Sequence, residues 1–233
     1  MKLSLALDRP THVEPSHRVL RVAGMFGLGV DETRRLSIVP DTTLDLHPGM
    51  LIFITGPSGG GKSSLLHLIA NAAREHQHVR VISFDSLPPL DDVPIVDALL
   101  PGCDESALPR VLELLSIVGL GDAFAILRKP GELSDGQRYR LRLAQCIAAC
   151  EHDKDNLHLI LADEFGATLD RITAMVIARN LRKWTRKSKT PVCFIAATTH
   201  DDLLESLDPD VLIEKGLGSA IEVATRLHPS RKA

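Results

Sequence analysis

The stretch MLIFITGPSGGGKSSLLHLIANAAREH, residues 50–76, decides the fold. It begins with an apolar run at residues 50–55 that is typical of a strand buried on both faces of a sheet. A glycine-rich loop follows, and apolar residues then recur at the spacing of an amphipathic helix. A buried strand, a glycine loop and a helix in this order predict an α/β fold with a mostly parallel core sheet.

The loop GPSGGGKS, residues 56–63, matches the pattern G-x-x-x-x-G-K-S/T of a phosphate-binding loop. Its glycines let backbone N–H groups point inward around a polyphosphate, and the helix adds the positive end of its dipole. Lys62 is expected to reach the β- and γ-phosphates, and the Ser63 hydroxyl is expected to bind Mg²⁺. The alternative is a glycine-rich turn with a lysine nearby. The residues predicted to bind nucleotide are Gly56, Pro57, Ser58, Gly59, Gly60, Gly61, Lys62, Ser63 and Ser64.

Two acidic residues end a second apolar run, LHLILADE, at residues 157–164. Asp163 is placed to hold Mg²⁺ through water, and Glu164 is predicted to orient and deprotonate an attacking water molecule. The alternative for Glu164 is an acid at a helix N-terminus, where the dipole favours it. A further strand-like run, PVCFIAATTH, ends in His200. Because parallel sheets bind ligands at the carboxyl ends of their strands, His200 is expected to face the terminal phosphate.

The composition is that of an ordinary globular protein, with 233 residues of which 44% are hydrophobic and 24% charged. The formal net charge of −3 disfavours bulk attraction to nucleic acid or anionic lipid. No apolar run approaches the roughly 20 residues that cross a bilayer. The four cysteines show no C-x-x-C spacing, so we expect buried apolar thiols rather than a metal site, and a reducing cytoplasmic location.

Changes in composition along the chain predict its organisation. Residues 1–18, with Pro10 and Pro15, are expected to form a loosely structured lead-in. From Val19 the apolar segments alternate with turn residues, which predicts antiparallel strands. Residues 87–150 carry helical patterns such as ALPRVLELLSIVGL and are expected to form a helical insertion in the α/β core. We therefore expect one domain over residues 19–225 and a frayed basic tail over residues 226–233.

Further motifs, taken in order with the phosphate loop, resemble those of the ATP-binding-cassette family of ATPases. LSDGQRYR, residues 133–140, is similar to the family signature L-S-G-G-Q, with Asp135 in place of the first glycine. DEFGATLD resembles the Walker B and D-loop run, so Asp170 matches the D-loop aspartate, and ATTHDDL matches the segment of the switch histidine. VAGMFGLG resembles the segment whose aromatic residue stacks on adenine, which nominates Phe26.

This resemblance covers residues 19–222 and implies a P-loop NTPase with an N-terminal antiparallel β subdomain and an inserted helical subdomain. It implies ATP and Mg²⁺ as ligands, hydrolysis of ATP, and head-to-tail pairing with an identical or different cassette. In such a pair the signature of one chain closes over the ATP of the other. The signature residues are Ser134, Asp135, Gly136 and Gln137. The same likeness implies a cytoplasmic protein, either free or peripheral at the inner face of the membrane beside a membrane subunit.

Three departures from the family pattern bear on the biological role. VISFDSLPPL lacks the glutamine that coordinates Mg²⁺ and couples to a membrane partner in transport members, and Asp85 or Ser86 occupies its region. Asp85 can bind Mg²⁺ in its place. Asp135 brings a negative charge to the signature, and Phe165 stands where proline is usual. The role therefore stays open between a transporter subunit, a soluble cassette and an ATP-gated interaction module that does not hydrolyse ATP.

A basic segment, RNLRKWTRKSK at residues 179–189, holds six cations and the tryptophan Trp184. One interpretation is contact with nucleic acid or an acidic protein, with Trp184 available for stacking. The other is the solvated end of a helix, where cations complement the dipole.

Overall fold

The predicted buried strand lies inside a six-stranded sheet, flanked on both sides by strands from the C-terminal half of the chain. The computed structural model describes residues 1–11, 14–29, 34–100, 102, 104–151 and 153–226. The strands in these ranges are β1 (Lys2–Thr11), β2 (Arg34–Asp45), β3 (Leu51–Thr55), β4 (Val79–Ser83), β5 (Leu157–Ala162), β6 (Val192–Ala197), β7 (Val211–Lys215) and β8 (Ile221–Thr225). The helices are α1 (His17–Met25), α2 (Lys62–Arg74), α3 (Ile95–Ala98), α4 (Leu108–Ile117), α5 (Ala123–Ile126), α6 (Asp135–Ala149), α7 (Arg171–Lys187) and α8 (Leu204–Leu207).

The large sheet has the strand order β4-β5-β6-β3-β7-β8. Its pairs are parallel except for β7 with β8, which is antiparallel. A second sheet of two antiparallel strands joins β1 to β2. The predicted α/β fold with a mostly parallel core sheet and an N-terminal antiparallel sheet is therefore confirmed.

The core lies on both faces of the large sheet, and β3 contributes to each of them. Leu51 and Phe53 pack with residues of α4, α6 and α7, whereas Ile52 and Ile54 pack with α2 and the two-stranded sheet. This alternation follows from the two-residue period of a strand. Burial on both faces explains why the run is continuously apolar.

The expectation of a loosely structured lead-in is wrong for Lys2–Thr11, which form β1. Its alternating pattern buries Leu3 and Leu5 in the core beneath α2, which outweighs the proline nearby. The start of the antiparallel strands expected from Val19 is also wrong, because His17–Met25 form α1 and the strand β2 begins at Arg34. The Ser16 hydroxyl accepts a hydrogen bond from the Val19 N–H at 3.2 Å and caps this helix.

Helices α3 to α6 lie between β4 and β5, within the stretch expected to form a helical insertion. The described cysteines Cys146, Cys150 and Cys193 are buried, as expected, and no cluster of metal-ligating side chains occurs among the described residues. Cys103 and residues 227–233 of the expected basic tail lie outside the described ranges.

Candidate nucleotide-binding site

The phosphate loop is held by close contact with the strand beside it. At Gly56 a Cβ atom would lie only 2.0 Å from the backbone oxygen of Lys215, so glycine is required where β3 ends. At the other end of the loop Gly61 has a φ of 95° and forms the N-cap of α2. This left-handed conformation, which glycine adopts without strain, leaves the first N–H groups of α2 facing the loop.

Lys62 lies over its own loop. Its ammonium group donates to the backbone oxygens of Gly56 and Pro57, each at 2.8 Å. Partial burial lowers the pKa of Lys62, and the carboxylates of Asp163, Asp201 and Glu164 oppose this shift. The lysine therefore lies within electrostatic reach of the acidic residues at the sheet edge.

A cavity of about 480 Å³ joins the loop to the carboxyl ends of β5 and β6. The loop contributes Ser58, Gly59, Gly61, Lys62, Ser63 and Ser64, and the strand ends contribute Asp163, Glu164, Ala167, Ala197, Thr198 and Thr199. Gly56 and Pro57 line a neighbouring cavity of about 360 Å³ beside Lys215. The Ser63 hydroxyl and the Asp163 carboxylate are oxygen donors in one cavity, which is the chemistry that Mg²⁺ prefers.

Glu164 has a backbone conformation that is uncommon for its residue type, with φ of 48°. Its N–H donates to the Asp163 carboxylate at 2.9 Å, and the next N–H, of Phe165, donates to the Ala197 oxygen at 2.8 Å. Phe165 is fully buried and meets Phe194 edge to face, with ring centroids 6.1 Å apart. The residue in place of the usual proline thus supplies a backbone donor and an apolar anchor that fix the turn carrying Glu164.

The hydroxyl of Tyr139 accepts a hydrogen bond from the Gly166 N–H at 3.2 Å, two residues beyond Glu164. The Tyr139 ring meets Phe84 edge to face at 5.2 Å, at the end of β4. Burial raises the pKa of this phenol well above its usual range, so it stays neutral. Tyr139 was not predicted from the sequence, where its place in a helix after the signature was the only signal.

Several predicted site residues lie outside the cavity. Among the described residues, Phe26, Asp85 and His200 are absent from its lining. Phe26 is 75% exposed at the end of α1, and Asp85 lies in an exposed 3₁₀ turn after β4. His200 directly follows Thr199, and its N–H donates to the Thr198 hydroxyl at 3.3 Å. The adenine role of Phe26 and the metal role of Asp85 therefore stay predictions.

The predicted signature forms the N-terminus of α6. The Ser134 hydroxyl accepts from the Gln137 N–H at 3.3 Å, and the Gln137 side chain accepts from the Ser134 N–H at 3.0 Å. This reciprocal pair is a capping box. Asp135 is turned to solvent and forms an ion pair with Arg138. At Gly136 a Cβ atom would lie 3.3 Å from the Thr168 oxygen, so the signature packs closely on the segment that precedes Asp170.

Asp170 forms the N-cap of α7 and accepts a hydrogen bond from the Thr173 N–H at 2.9 Å. Hydrogen bonds from Thr173 lower the pKa of this carboxyl, so it is ionised at neutral pH. The aspartate matched to the D-loop is therefore the ionised N-cap of α7, a helix that packs on the face of the sheet opposite to α2.

Residues 39–164 match the family model described as ABC transporter. The chain belongs to this family. This ABC cassette is 30% identical over 206 residues to the aliphatic sulfonates import ATP-binding protein SsuB of Delftia acidovorans, with 83% of the chain and 80% of the relative covered. It is 27% identical to the lipoprotein-releasing system ATP-binding protein LolD 2 of Caulobacter vibrioides, of which it covers 96%. It spans 59% of a third relative, the sulfate/thiosulfate import ATP-binding protein CysA of Gloeobacter violaceus, at 29% identity.

Solved structures share the fold of the cassette. A dimeric structure of the bacterial ABC transporter cassette MJ0796 superposes with a TM-score of 0.63 at 17% identity, covering 97% of this chain and 98% of the other. A structure of MJ0796 after hydrolysis, bound to ADP and Pi, gives a TM-score of 0.60. Within the described ranges, none of the cassette's helices combines the length and apolar character needed to cross a membrane.

Proposed function

We propose that this ABC cassette binds Mg-ATP, pairs head to tail with a second cassette and hydrolyses ATP to drive a partner machine. The observation that carries the proposal is the single cavity shared by the phosphate loop, Asp163 and Glu164. A phosphate loop alone accounts for nucleotide binding. The carboxylates beside it add the groups that hydrolysis requires.

In this proposal each side chain has one task. The loop N–H groups bind the phosphate oxygens, and Lys62 exchanges the oxygens of Gly56 and Pro57 for those of the β- and γ-phosphates. Ser63 and Asp163 hold Mg²⁺, which supplies positive charge against the phosphates when bound. Glu164 takes the proton of the water that attacks the γ-phosphorus, and ADP and phosphate leave. His200, next to the cavity residue Thr199, contacts the terminal phosphate.

The N-terminus of α6 supplies the second half of the site to a neighbouring cassette. Its exposed N–H groups and the Ser134 hydroxyl form an anion-binding helix start. Asp135 opposes an incoming phosphate less than a free carboxylate would, because Arg138 pairs with it. Local capping and contact with a partner's ATP use the same residues.

The partner machine is, in our proposal, a membrane subunit, with the cassette as a homodimer at the inner face of the membrane. The names of the relatives SsuB and LolD 2 describe ATP-binding proteins of import and release systems, which supports this role. None of the relatives named here is described as acting on nucleic acid, and Trp184 packs against the core. We therefore do not propose a nucleic-acid partner for residues 179–189.

The test is the mass of the Glu164→Gln variant in solution, measured by size-exclusion chromatography with light scattering. We expect a monomer without nucleotide and a dimer with Mg-ATP, because the variant binds ATP but cannot remove the water proton. ATP turnover should fall by about 10²- to 10⁴-fold relative to the wild type.

Ser134→Arg, introduced into the Glu164→Gln chain, should abolish the dimer while ATP binding persists. Ser106→Arg, on an exposed turn of the helical insertion, is the matched control and should leave the dimer intact. Wild-type turnover no higher than that of Glu164→Gln would reject hydrolysis and leave an interaction module. A monomer in Mg-ATP would reject self-pairing.

A further inference from the structure

A second cavity, of about 770 Å³, lies on the side of the molecule away from the phosphate loop. It is bordered by α4, by the end of α7, by Cys150, Glu151 and Lys154 after α6, and by the turn that leads into β6. These residues precede β5 and β6, whereas the nucleotide cavity lies where those strands end. Helix α7 follows its N-cap, Asp170, which comes after the nucleotide-cavity residue Ala167. The helix is 17 residues or about 25 Å long, and its last turns line the second cavity. The two cavities are therefore separate sites.

The lining of this basic cavity carries an excess of positive charge. Lys154, Lys183, Lys187 and Lys189 line it and have no ion-pair or hydrogen-bond partner among the described residues. The two carboxylates that line it, Glu113 and Glu151, both bind Arg110. Five cations and two carboxylates leave a formal charge of +3 on the lining, in a chain whose net charge is −3. This local field attracts anions.

The walls of the basic cavity are tied together and partly apolar. The Arg110 Nε donates to the Glu151 carboxylate at 2.7 Å, which links α4 to the end of α6. The Asn180 side chain donates to the Ile117 oxygen at 3.1 Å, which links α7 to α4. Trp184, half-buried against the core, and Ile117 add a flat apolar surface between the lysines. Small-molecule sites are concave and combine apolar surface with polar groups, and this cavity combines Trp184 and Ile117 with an unusually charged lining.

We propose that the basic cavity binds a small organic molecule that carries two or more phosphate groups. Lysine ammonium groups bind phosphate as point charges, and four of them match a multiply charged anion. The apolar surface of Trp184 and Ile117 accommodates the carbon skeleton. The volume lies in the range of a small-molecule site rather than a groove for a macromolecule. This inference is independent of the proposed ATP hydrolysis.

The test uses Trp184 as a native reporter, because it is the single tryptophan of the chain. Its fluorescence is titrated with fructose 1,6-bisphosphate and with inorganic pyrophosphate at constant ionic strength, with sodium chloride as the blank. The titration is repeated in Lys62→Ala, in which the phosphate loop is disabled. We expect a saturable change with fructose 1,6-bisphosphate that Lys62→Ala preserves, and weaker binding of pyrophosphate, which lacks a carbon skeleton.

Lys183→Gln and Lys187→Gln should each weaken binding of fructose 1,6-bisphosphate about tenfold. Arg179→Gln removes a positive charge from the same helix outside the cavity and should leave binding unchanged. Circular dichroism checks that each variant is folded. The proposal is overturned by a folded protein without a saturable change, by loss of the signal in Lys62→Ala, or by equal weakening in Arg179→Gln. Saturation by an oligonucleotide but not by the bisphosphate would likewise reject a small-molecule site.

Discussion

Arg182 and Asp210 form a buried ion pair that joins α7 to the strand before the phosphate loop. The Arg182 Nη1 and Nη2 atoms donate to the Asp210 carboxylate at 2.6 and 2.8 Å, and the arginine side chain is only 5% exposed. The same carboxylate accepts the N–H of Leu51, the first residue of β3, at 2.8 Å. A residue of the basic segment, expected at the solvated end of a helix, is thus a buried support for β3.

Asp210→Asn should lower the free energy of unfolding by about 3–5 kcal/mol, because it removes both short ion-pair hydrogen bonds of buried Arg182 and leaves only the Asp208 carboxylate, 3.8 Å from its Nε. Urea denaturation followed by circular dichroism measures the loss. Asp92→Asn is the matched control, since its pair with Lys129 is exposed and worth at most about 1 kcal/mol. A loss for Asp210→Asn no larger than the control would contradict this account.

The buried thiols predict how stability depends on pH. Burial raises the pKa of Cys193 to about 12 and that of Cys146 to about 12. In the unfolded chain the pKa of a cysteine thiol is about 8.5. Between these values the native state holds the proton and the unfolded state releases it, so stability present below pH 8.5 is lost as the pH rises.

Between pH 9 and 11 the free energy of unfolding should fall less steeply in Cys193→Ala than in the wild type. The difference in slope should be about 1.4 kcal/mol per pH unit, which is the contribution of one thiol. Urea denaturation of both proteins at pH 6.5, 7.5, 9 and 10.5 measures how the free energy of unfolding depends on pH in each. Below pH 8 the slopes should coincide, because the thiol is protonated in both states. Burial lowers the pKa of Lys215, so this residue makes the free energy of unfolding rise with pH. Its contribution is the same in both proteins and cancels in the comparison. Equal slopes in the two proteins at high pH would refute the raised pKa of the Cys193 thiol.

At the scale of elements, α6 connects the end of β4 to the turn that carries Glu164. Tyr139 makes both contacts, through its ring to Phe84 and through its hydroxyl to Gly166. Arg142 and Gln145, further along α6, donate to the Pro88 oxygen at 2.9 Å each. The region that lacks the family glutamine is therefore anchored to the signature helix by other side chains.

Tyr139→Phe keeps the ring contact and removes the hydrogen bond to the Gly166 N–H. We expect ATP turnover to fall by about threefold to tenfold, since a net hydrogen bond is worth about 0.5–1.5 kcal/mol. KM for ATP should stay constant, because Tyr139 does not line the nucleotide cavity. Steady-state kinetics separates the two parameters. A raised KM with normal kcat would show that Tyr139 acts on binding rather than on the position of Glu164.

Local sequence patterns sufficed for the elements that form the nucleotide cavity and failed for elements defined by distant partners. The run into Gly56 predicted β3 and α2, and the apolar run that ends in Asp163 predicted β5, whose end lines the nucleotide cavity. Strand β8 was missed because four of its five residues are exposed and give little apolar alternation. The role of Tyr139 could not be predicted because the Gly166 N–H that donates to its hydroxyl is 27 residues away in the chain. Phe26 was matched by motif alone, and it is exposed and does not line the cavity.

At the scale of the whole molecule, β3 depends on strands that come much later in the chain. Its neighbours are β6 and β7, and Gly56 packs directly against Lys215. A chain that ends after Pro209 lacks β7 and β8, so β3 loses one parallel partner and the phosphate loop loses its wall.

We expect this truncated chain to show no cooperative unfolding transition and no ATP binding. A chain that ends after Arg226 keeps every described strand and should match the full protein in both measurements. Thermal denaturation and equilibrium binding of a fluorescent ATP analogue are measured for both truncated chains. ATP binding by the shorter chain would refute the dependence of the loop on β7.

The position of β3 between two late strands also sets the order of events on the ribosome. Thr55 and Val211 are 156 residues apart, which corresponds to roughly 8–30 s of translation at typical rates. For most of that interval, until β6 is synthesised, the nascent segment LIFIT has neither of its sheet neighbours and exposes an apolar strand that chaperones would cover. Nucleotide affinity is consequently among the last properties that the growing polypeptide acquires.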